Sequence, residues 1–221
     1  MPAPVGILTM SDFHILIPCK GLAAGKSRLA PLLSPSERYE LCAALLRQTI
    51  DVAVEIVRPH HVWLTTPDDF AKAVAGKLGI NVIADNGTDL NTALELARRA
   101  IVGQTGELEN GLMVLPIDLP LISQTAIERS MAEHADVTIA ADLARKGTNV
   151  LSLKGPAVIG FPFRYGRGSF HRHCELACRS KYTLRIIDDF ALAFDLDEPH
   201  DLLRLPLAAA AGSRTQPHNV G

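Results

Sequence analysis

The chain has 221 residues, 48% of them hydrophobic and 21% charged, with 22 Lys and Arg against 24 Asp and Glu. That length and apolar share are enough for one well-buried domain. A net charge of −2 excludes a general nucleic-acid binder, which carries a cationic surplus, and directs attention to local clusters of charge suited to a small anion.

No apolar run approaches the ~18 residues of a membrane span, so no membrane contact is expected and the location read from the sequence is cytoplasmic. The four cysteines, Cys19, Cys42, Cys174 and Cys178, form no Cys-x-x-Cys pair and read as reduced thiols. The first residues, "MPAPVGILTM", offer Met10 as an alternative beginning; 1–12 and 206–221 are expected to be flexible ends around one domain at 13–205.

"FHILIP" (13–18) predicts a buried strand, and "CKGLAAGKSRLA" (19–30) follows it directly. A Walker A loop needs a glycine at position 20 to match Gly25-Lys26-Ser27, but that position is Lys20, and Gly21 leaves the loop one residue short. Gly21 and Gly25 still let backbone approach a ligand, while Lys20, Lys26 and Arg28 supply charge. The pieces suit a polyanion, or else form a solvated basic turn.

A helix is predicted over 34–56, with Ser34 as N-cap, Pro35 in the first turn, Glu37 completing a capping box, and Leu41, Ala44, Leu45, Ile50 and Val54 as its inner stripe. Then come a strand at 61–66, a helix at 68–78 closed by Gly79, a strand at 80–85 and a helix at 89–103 capped by Thr88 or Asp89. A strand at 111–118, a helix at 124–134 and a strand at 136–142 complete the series. This alternation implies βαβ units in a mostly parallel sheet. After 142 the rhythm changes: a strand at 147–153, a glycine-rich loop into a helix at 164–180, apparent paired strands at 182–189 and 190–197, and a closing helix at 198–205.

Ligands of open parallel sheets lie outside the carboxyl ends of the strands. Asp118 sits at such an end, and Asp195 and Asp197 alternate so that both face one side of a strand. Three strand-end carboxylates with a Gly/Lys loop can hold magnesium against nucleotide phosphates, since that ion takes a few carboxylates plus phosphate and water oxygens. Each aspartate alone is equally a helix cap. Cys174 and Cys178, with His171 and His173 nearby, read as a half-buried helix face rather than a zinc site.

Together, "ILIPCKGLAAGKSRLAPLLSPSERYEL", "LPIDLPLI", "GTNVLSL", "YGRGSFHRHC" and "FDLDEPHDL" resemble the CofC family, guanylyltransferases of coenzyme F(420) biosynthesis with a glycosyltransferase-A-like, Rossmann-like nucleotidyltransferase fold. The resemblance spans about 13–205. It implies transfer of GMP from GTP to the phosphate of phospholactate, phosphoenolpyruvate or 3-phosphoglycerate, with Mg2+ as cofactor and pyrophosphate released.

Residue by residue, it implies Asp118, Asp195 and Asp197 as metal ligands and Lys20, Lys26 and Arg28 as the basic catalytic loop. Gly21, Leu22, Asn91 and Thr92 are implied at the nucleotide, and Thr148, Gly166 and Ser169 at the acceptor. Apart from the resemblance, His173, and less so His171, reads as an added donor to the acceptor, or else as a helical histidine facing water. Two departures bear on the acceptor: Asp197-Glu198-Pro199 stands where many members have Asp-Thr-Pro, and Arg164 and Arg167 enter the glycine loop, where they would clamp a carboxylate or lie in solvent. The alternatives are a transferase for a sugar phosphate or molybdopterin, and a nucleotide-binding domain without catalysis. A small αβ sheet edge leaves room for a homodimer.

Overall fold

In strand β1 (His14–Pro18), Ile15, Leu16 and Ile17 are all fully buried, which one-sided burial of a strand cannot do. Ile15 and Ile17 enter one core and Leu16 the other, so both faces of the sheet are covered. Each such side chain contributes about 2 kcal/mol through burial. An aspartate at Leu16 would place an unpaired charge between the layers.

The computed structural model describes residues 13–85, 89–106 and 111–212. Its further elements are α1 (Pro35–Ile56), β2 (Val62–Thr66), α2 (Asp69–Leu78), β3 (Asn81–Ala84), α3 (Leu90–Thr105), β4 (Leu112–Val114) and α4 (Gln124–Ala132). They continue with β5 (Val137–Ala141), β6 (Thr148–Leu153), α5 (Ala157–Gly160), α6 (Ser169–Arg179), β7 (Leu184–Ile187), α7 (Phe190–Ala193) and α8 (Pro199–Gly212). The seven strands form one sheet in the order β3-β2-β1-β4-β6-β5-β7. β1 pairs in parallel with β2 and β4, β2 with β3, and β5 with β7; only β6 runs against its neighbours. The expected mostly parallel α/β sheet is therefore present.

Local chemistry explains most boundaries. Ser34 Oγ accepts from Glu37 N while the Glu37 carboxylate accepts from Ser34 N, the reciprocal cap expected for α1. Gly79 ends α2 at φ 67°, a left-handed turn that glycine adopts without penalty. Asp89 caps α3 through Asn91 N and Thr92 N, whereas Thr88 lies outside the described residues.

Three expectations need correction. The inner stripe of α1 is rotated by about one residue: Cys42, Leu46, Ile50 and Ala53 are buried, Ala44 is exposed, and Leu41 and Val54 are half-buried at the margins. Residues 111–118 extend only briefly as a strand, Leu112–Val114. Residues 190–197 do not pair with β7; β7 lies parallel to β5, and Phe190–Ala193 is a helical turn. The reason is that Asp189 caps the turn at Ala191 N, and Asn149 Nδ2 donates to its carbonyls Leu192 O and Ala193 O. Leu192 and Phe194 are both buried two residues apart, the period of a half-covered strand, so burial alone does not distinguish the turn from a strand and the capping bonds do. The closing helix, expected over 198–205, extends to Gly212, while 1–12 and 213–221 lie outside the described residues. Among the described residues no helix is long and apolar enough to cross a membrane.

Candidate active site

Because β6 alone is reversed, its first residue, Thr148, stands at the same sheet edge as the carboxyl ends of the other strands. The chain order also reverses there: β2 and β3 add to one side of β1 and β4 to the other. That switch between β1 and β4 opens a crevice. A cavity of about 240 Å³ occupies it, lined by Lys20, Gly21, Lys26, Leu90, Asp118 and Asp197 among others.

The loop after β1 forms two short 3-10 turns, Leu22–Ala24 and Ser27–Leu29, anchored by the buried Leu22 and Leu29. Leu22 reaches the cavity wall, but its side chain belongs to the core and its N–H donates to Asp68 Oδ2 at 3.0 Å. Gly21 borders the cavity, and a Cβ there would meet nothing within 4 Å. Gly25 has no such freedom: a Cβ would lie 2.6 Å from Cys42 Sγ, so glycine is what lets the loop sit down on α1.

Lys26 takes a left-handed conformation, φ 53°, unusual for a residue with a Cβ. Its side chain, 8% exposed, sends Nζ to 2.9 Å from Asp197 Oδ1 and 3.6 Å from Asp118 Oδ2. Burial disfavours its charge, yet Asp118 and Asp197 outweigh that and hold the ammonium pKa above its ordinary value. Arg28, out in solvent, reaches Glu198 Oε1 at 3.1 Å and Asp197 Oδ2 at 3.8 Å. Lys20 is exposed at the cavity rim.

Asp195 and Asp197 do not end a strand; they lie on an extended tether after α7. The alternation expected of them survives, because Leu196 is buried between them and its N–H donates to Asp118 O at 2.9 Å. That bond holds the tether carrying Asp195 and Asp197 against the backbone at Asp118. Asp201, at the start of α8, fixes the far end by accepting from Asp197 N and Glu198 N. Burial, together with the charges of Asp118 and Asp197, pushes the Asp195 carboxyl up to about 6.

The expected metal trio is not a ready-made cage. Among the described residues no three His, Cys, Asp or Glu side chains converge on one point, and the Lys26 ammonium stands between Asp118 and Asp197. The donor chemistry nevertheless fits an ion that brings its own phosphate and water oxygens. Lys26 answers Asp118 and Asp197, while Asp195, raised first by burial and then by those two carboxylates, has no cation of its own among the ion pairs of the described residues.

Where the acceptor is expected, Thr148 N donates to Ser169 Oγ at 2.8 Å, joining the first residue of β6 to the first of α6. Gly166, at φ 111°, turns the loop that leads into α6. Arg164, Arg167 and His171 have exposed side chains. His173, expected as an added donor, is fully buried, with Thr148 Oγ1 and Arg164 N against its two ring nitrogens. Asn91 is also occupied: Oδ1 accepts from Tyr165 N at 2.7 Å and Nδ2 donates to Tyr165 O at 3.2 Å. With Thr92 it lines a separate cavity of about 450 Å³ beside Arg98, Arg99 and Arg164, not the crevice. Cys174 and Cys178 are free thiols, half-buried and exposed on α6.

Two residues were missed. Asp68 caps α2 through Ala71 N as well as holding Leu22; the run "TTPDDF" signals a cap there but not a link to the opening loop. Tyr165, between Arg164 and Gly166, buries its hydroxyl without a hydrogen-bond partner, and nothing local marks it.

The family model described as "Guanylyl transferase CofC like" matches residues 13–217. A phosphoenolpyruvate guanylyltransferase of Rubrobacter xylanophilus is 35% identical over 214 residues, covering 96% of this chain and 100% of the relative. A 2-phospho-L-lactate guanylyltransferase of Methanosarcina barkeri is 30% identical over 206 residues, covering 90% and 88%. A solved Methanothermobacter nucleotidyl transferase shares the fold with a TM-score of 0.61 at 17% identity, over 92% of this chain and 99% of its own.

Proposed function

The chain belongs to the CofC-like guanylyl transferase family and is a nucleotidyltransferase; from that premise we propose that it moves GMP from GTP to the phosphate of a small phosphorylated carboxylic acid. The acceptor is phosphoenolpyruvate, 2-phospholactate or 3-phosphoglycerate, and the product serves coenzyme F(420) biosynthesis. The observation that carries this reading is the crevice between β1 and β4, where the buried Lys26 ammonium meets Asp118 and Asp197 with Asp195 alongside.

An acceptor phosphate oxygen attacks the α-phosphorus of GTP, the bond from that phosphorus to the bridging oxygen breaks, and pyrophosphate leaves. The attacking oxygen is already ionised, so no general base is required. The chain's tasks are to align two anions and neutralise their charge. Lys20, Lys26 and Arg28 line the path of the departing pyrophosphate. Thr148, Ser169 and the Gly166 backbone grip the acceptor, and Gly21 leaves room for the nucleotide. Asp118, Asp195 and Asp197 would hold Mg2+, which when bound offsets charge on the phosphate oxygens.

The test is pyrophosphate release from GTP and magnesium with each phospho-acid offered separately. Release with one acceptor, lost in Asp118→Asn, is the expected result. Equal release from Asp118→Asn, or none from the wild type with any of the three, would overturn the proposal.

A further inference from the structure

His173 is the most deeply buried polar group of the acceptor side, at 0% exposure on α6. Its Nε2 lies 2.9 Å from the backbone nitrogen of Arg164, and its Nδ1 lies 2.9 Å from Thr148 Oγ1. A backbone N–H only donates, so Nε2 is the accepting nitrogen. Burial, aided by the charges of Arg172 and Arg164, lowers the ring pKa to about 4, which leaves it neutral near pH 7. A neutral imidazole that accepts at Nε2 carries its proton on Nδ1.

That proton is directed at Thr148 Oγ1, which therefore accepts from His173 and keeps its own proton to donate elsewhere. Ser169 is in the same position, since its Oγ accepts from Thr148 N and its hydroxyl proton remains a donor. A serine or threonine hydroxyl can ordinarily rotate to donate or accept as a ligand requires. Here a fixed N–H saturates one side of each oxygen, and the pair is biased to donate.

We propose that His173 is a positioning residue: it sets the Thr148 hydroxyl as a hydrogen-bond donor and pins the backbone at Arg164, so that the acceptor side selects an oxyanion over a neutral hydroxyl. This rests on reading Thr148 as an acceptor contact in guanylyl transfer. Protonating the ring would put a second donor against the Arg164 N–H and break the arrangement, which explains why the imidazole is kept dry. The loop is held from its other side by Asn91, so the residues preceding Gly166 are fixed at both Arg164 and Tyr165.

Two measurements test the proposal. The first needs no substrate: long-range 1H–15N spectra of the full chain near pH 7, with His173→Phe used to assign the signal. A neutral ring protonated at Nδ1 is expected; an Nε2–H tautomer or an imidazolium overturns the proposal. The second compares His173→Gln, whose amide keeps one donor and one acceptor, with His173→Phe, which keeps ring bulk and neither.

His173→Phe is expected to raise the KM for the phospho-acid by roughly 10- to 100-fold, as for a lost hydrogen bond to a charged ligand, with the KM for GTP within about twofold. His173→Gln should recover at least part of the loss, and in a Thr148→Val background His173→Phe should add less than about threefold. Equal damage to both KM values, or losses that simply multiply in the double variant, indicate a structural role and overturn the proposal. If the wild type transfers GMP to none of the phospho-acids, the proposed function fails, and the tautomer measured without substrate still decides whether His173 orients Thr148.

Discussion

The loop after β1 and the loop before α6 flank the same sheet edge, yet one is assembled from charges and the other from neutral hydrogen bonds. Lys26 reaches Asp197 across 171 residues of sequence, and Arg28 reaches Glu198 beside it. Across the crevice, Thr148, Ser169, His173 and Asn91 are tied by bonds of 2.7–3.2 Å that involve no formal charge. Under the proposed function, the difference follows from what each half must do. Charges act over several ångströms and accommodate a polyphosphate that enters and leaves, whereas a small acceptor is recognised only if donors stand at fixed points.

The comparison is broken most readily at Lys26. Lys26→Met should lower kcat by roughly 10²- to 10³-fold, the range for loss of one preorganised electrostatic group. It also leaves Asp118, Asp195 and Asp197 without their buried counter-charge, so the metal-free variant should melt lower than the wild type and recover more on adding magnesium. A kcat within threefold of wild type would show that the charged half merely holds the loop. On the neutral half, Asn91→Leu removes both bonds to Tyr165 and should raise the acceptor KM by about tenfold, again with the GTP KM little changed. Raising the salt from 50 to 500 mM would sharpen the contrast: the screened contacts of Arg28 weaken, while the buried bonds of His173 do not.

That contrast also explains what could be read from the sequence. Strand-end carboxylates and a Gly/Lys loop are visible in a string of letters because several charges at the ends of apolar runs point together to a ligand, where any one alone is equally a cap. Asp118, Asp197 and Lys26, singled out in this way, do meet in the crevice, although Asp195 and Asp197 lie on a tether and not at a strand end, and the Ser34–Glu37 box marks its helix start through spacing alone. Asn91 and His173 were read as ligand contacts because an amide and an imidazole look alike whether they face a ligand or a backbone. Only the approach of Tyr165 and Arg164, more than 70 and 9 residues away respectively, separates the two cases. The run "FALAF" is ambiguous in the same manner: its apolar spacing suits a strand, and the capping by Asp189 and Asn149 makes it a turn of helix.

A smaller effect should appear in the pH dependence of stability. Folded Asp195 titrates near 6 against an ordinary value of 3.8, so between these the folded chain holds a proton that the unfolded chain has released. Stability of the metal-free protein therefore has an Asp195 contribution that falls as pH rises from about 4 to about 6 and stays low above that. Asp195→Asn removes it. The variant should melt a few degrees above the wild type near pH 7 without magnesium, and the gap should close near pH 4. A variant that melts lower at neutral pH would mean that Asp195 makes a favourable contact outweighing its two carboxylate neighbours.

The smallest effect is expected at Arg28, and it tests whether the charges of the opening loop act on the fold or on the ligand. Its guanidinium is 66% exposed and its partners Glu198 and Asp197 are each 43% exposed, so solvent screens both contacts. Arg28→Ala should cost at most about 0.5 kcal/mol of stability, within the usual range for surface pairs. Any larger consequence must then come from bound phosphates, which Arg28 is placed to meet at the rim while Lys26 stands deeper against Asp118. The expected signature is a rise of a few-fold in the KM for GTP, steepest at low salt, with the acceptor KM unchanged. If stability falls by more than about 1.5 kcal/mol instead, the Arg28–Glu198 contact helps to build the tether carrying Asp195 and Asp197, and the charged half would share the structural rigidity assigned here to the neutral one.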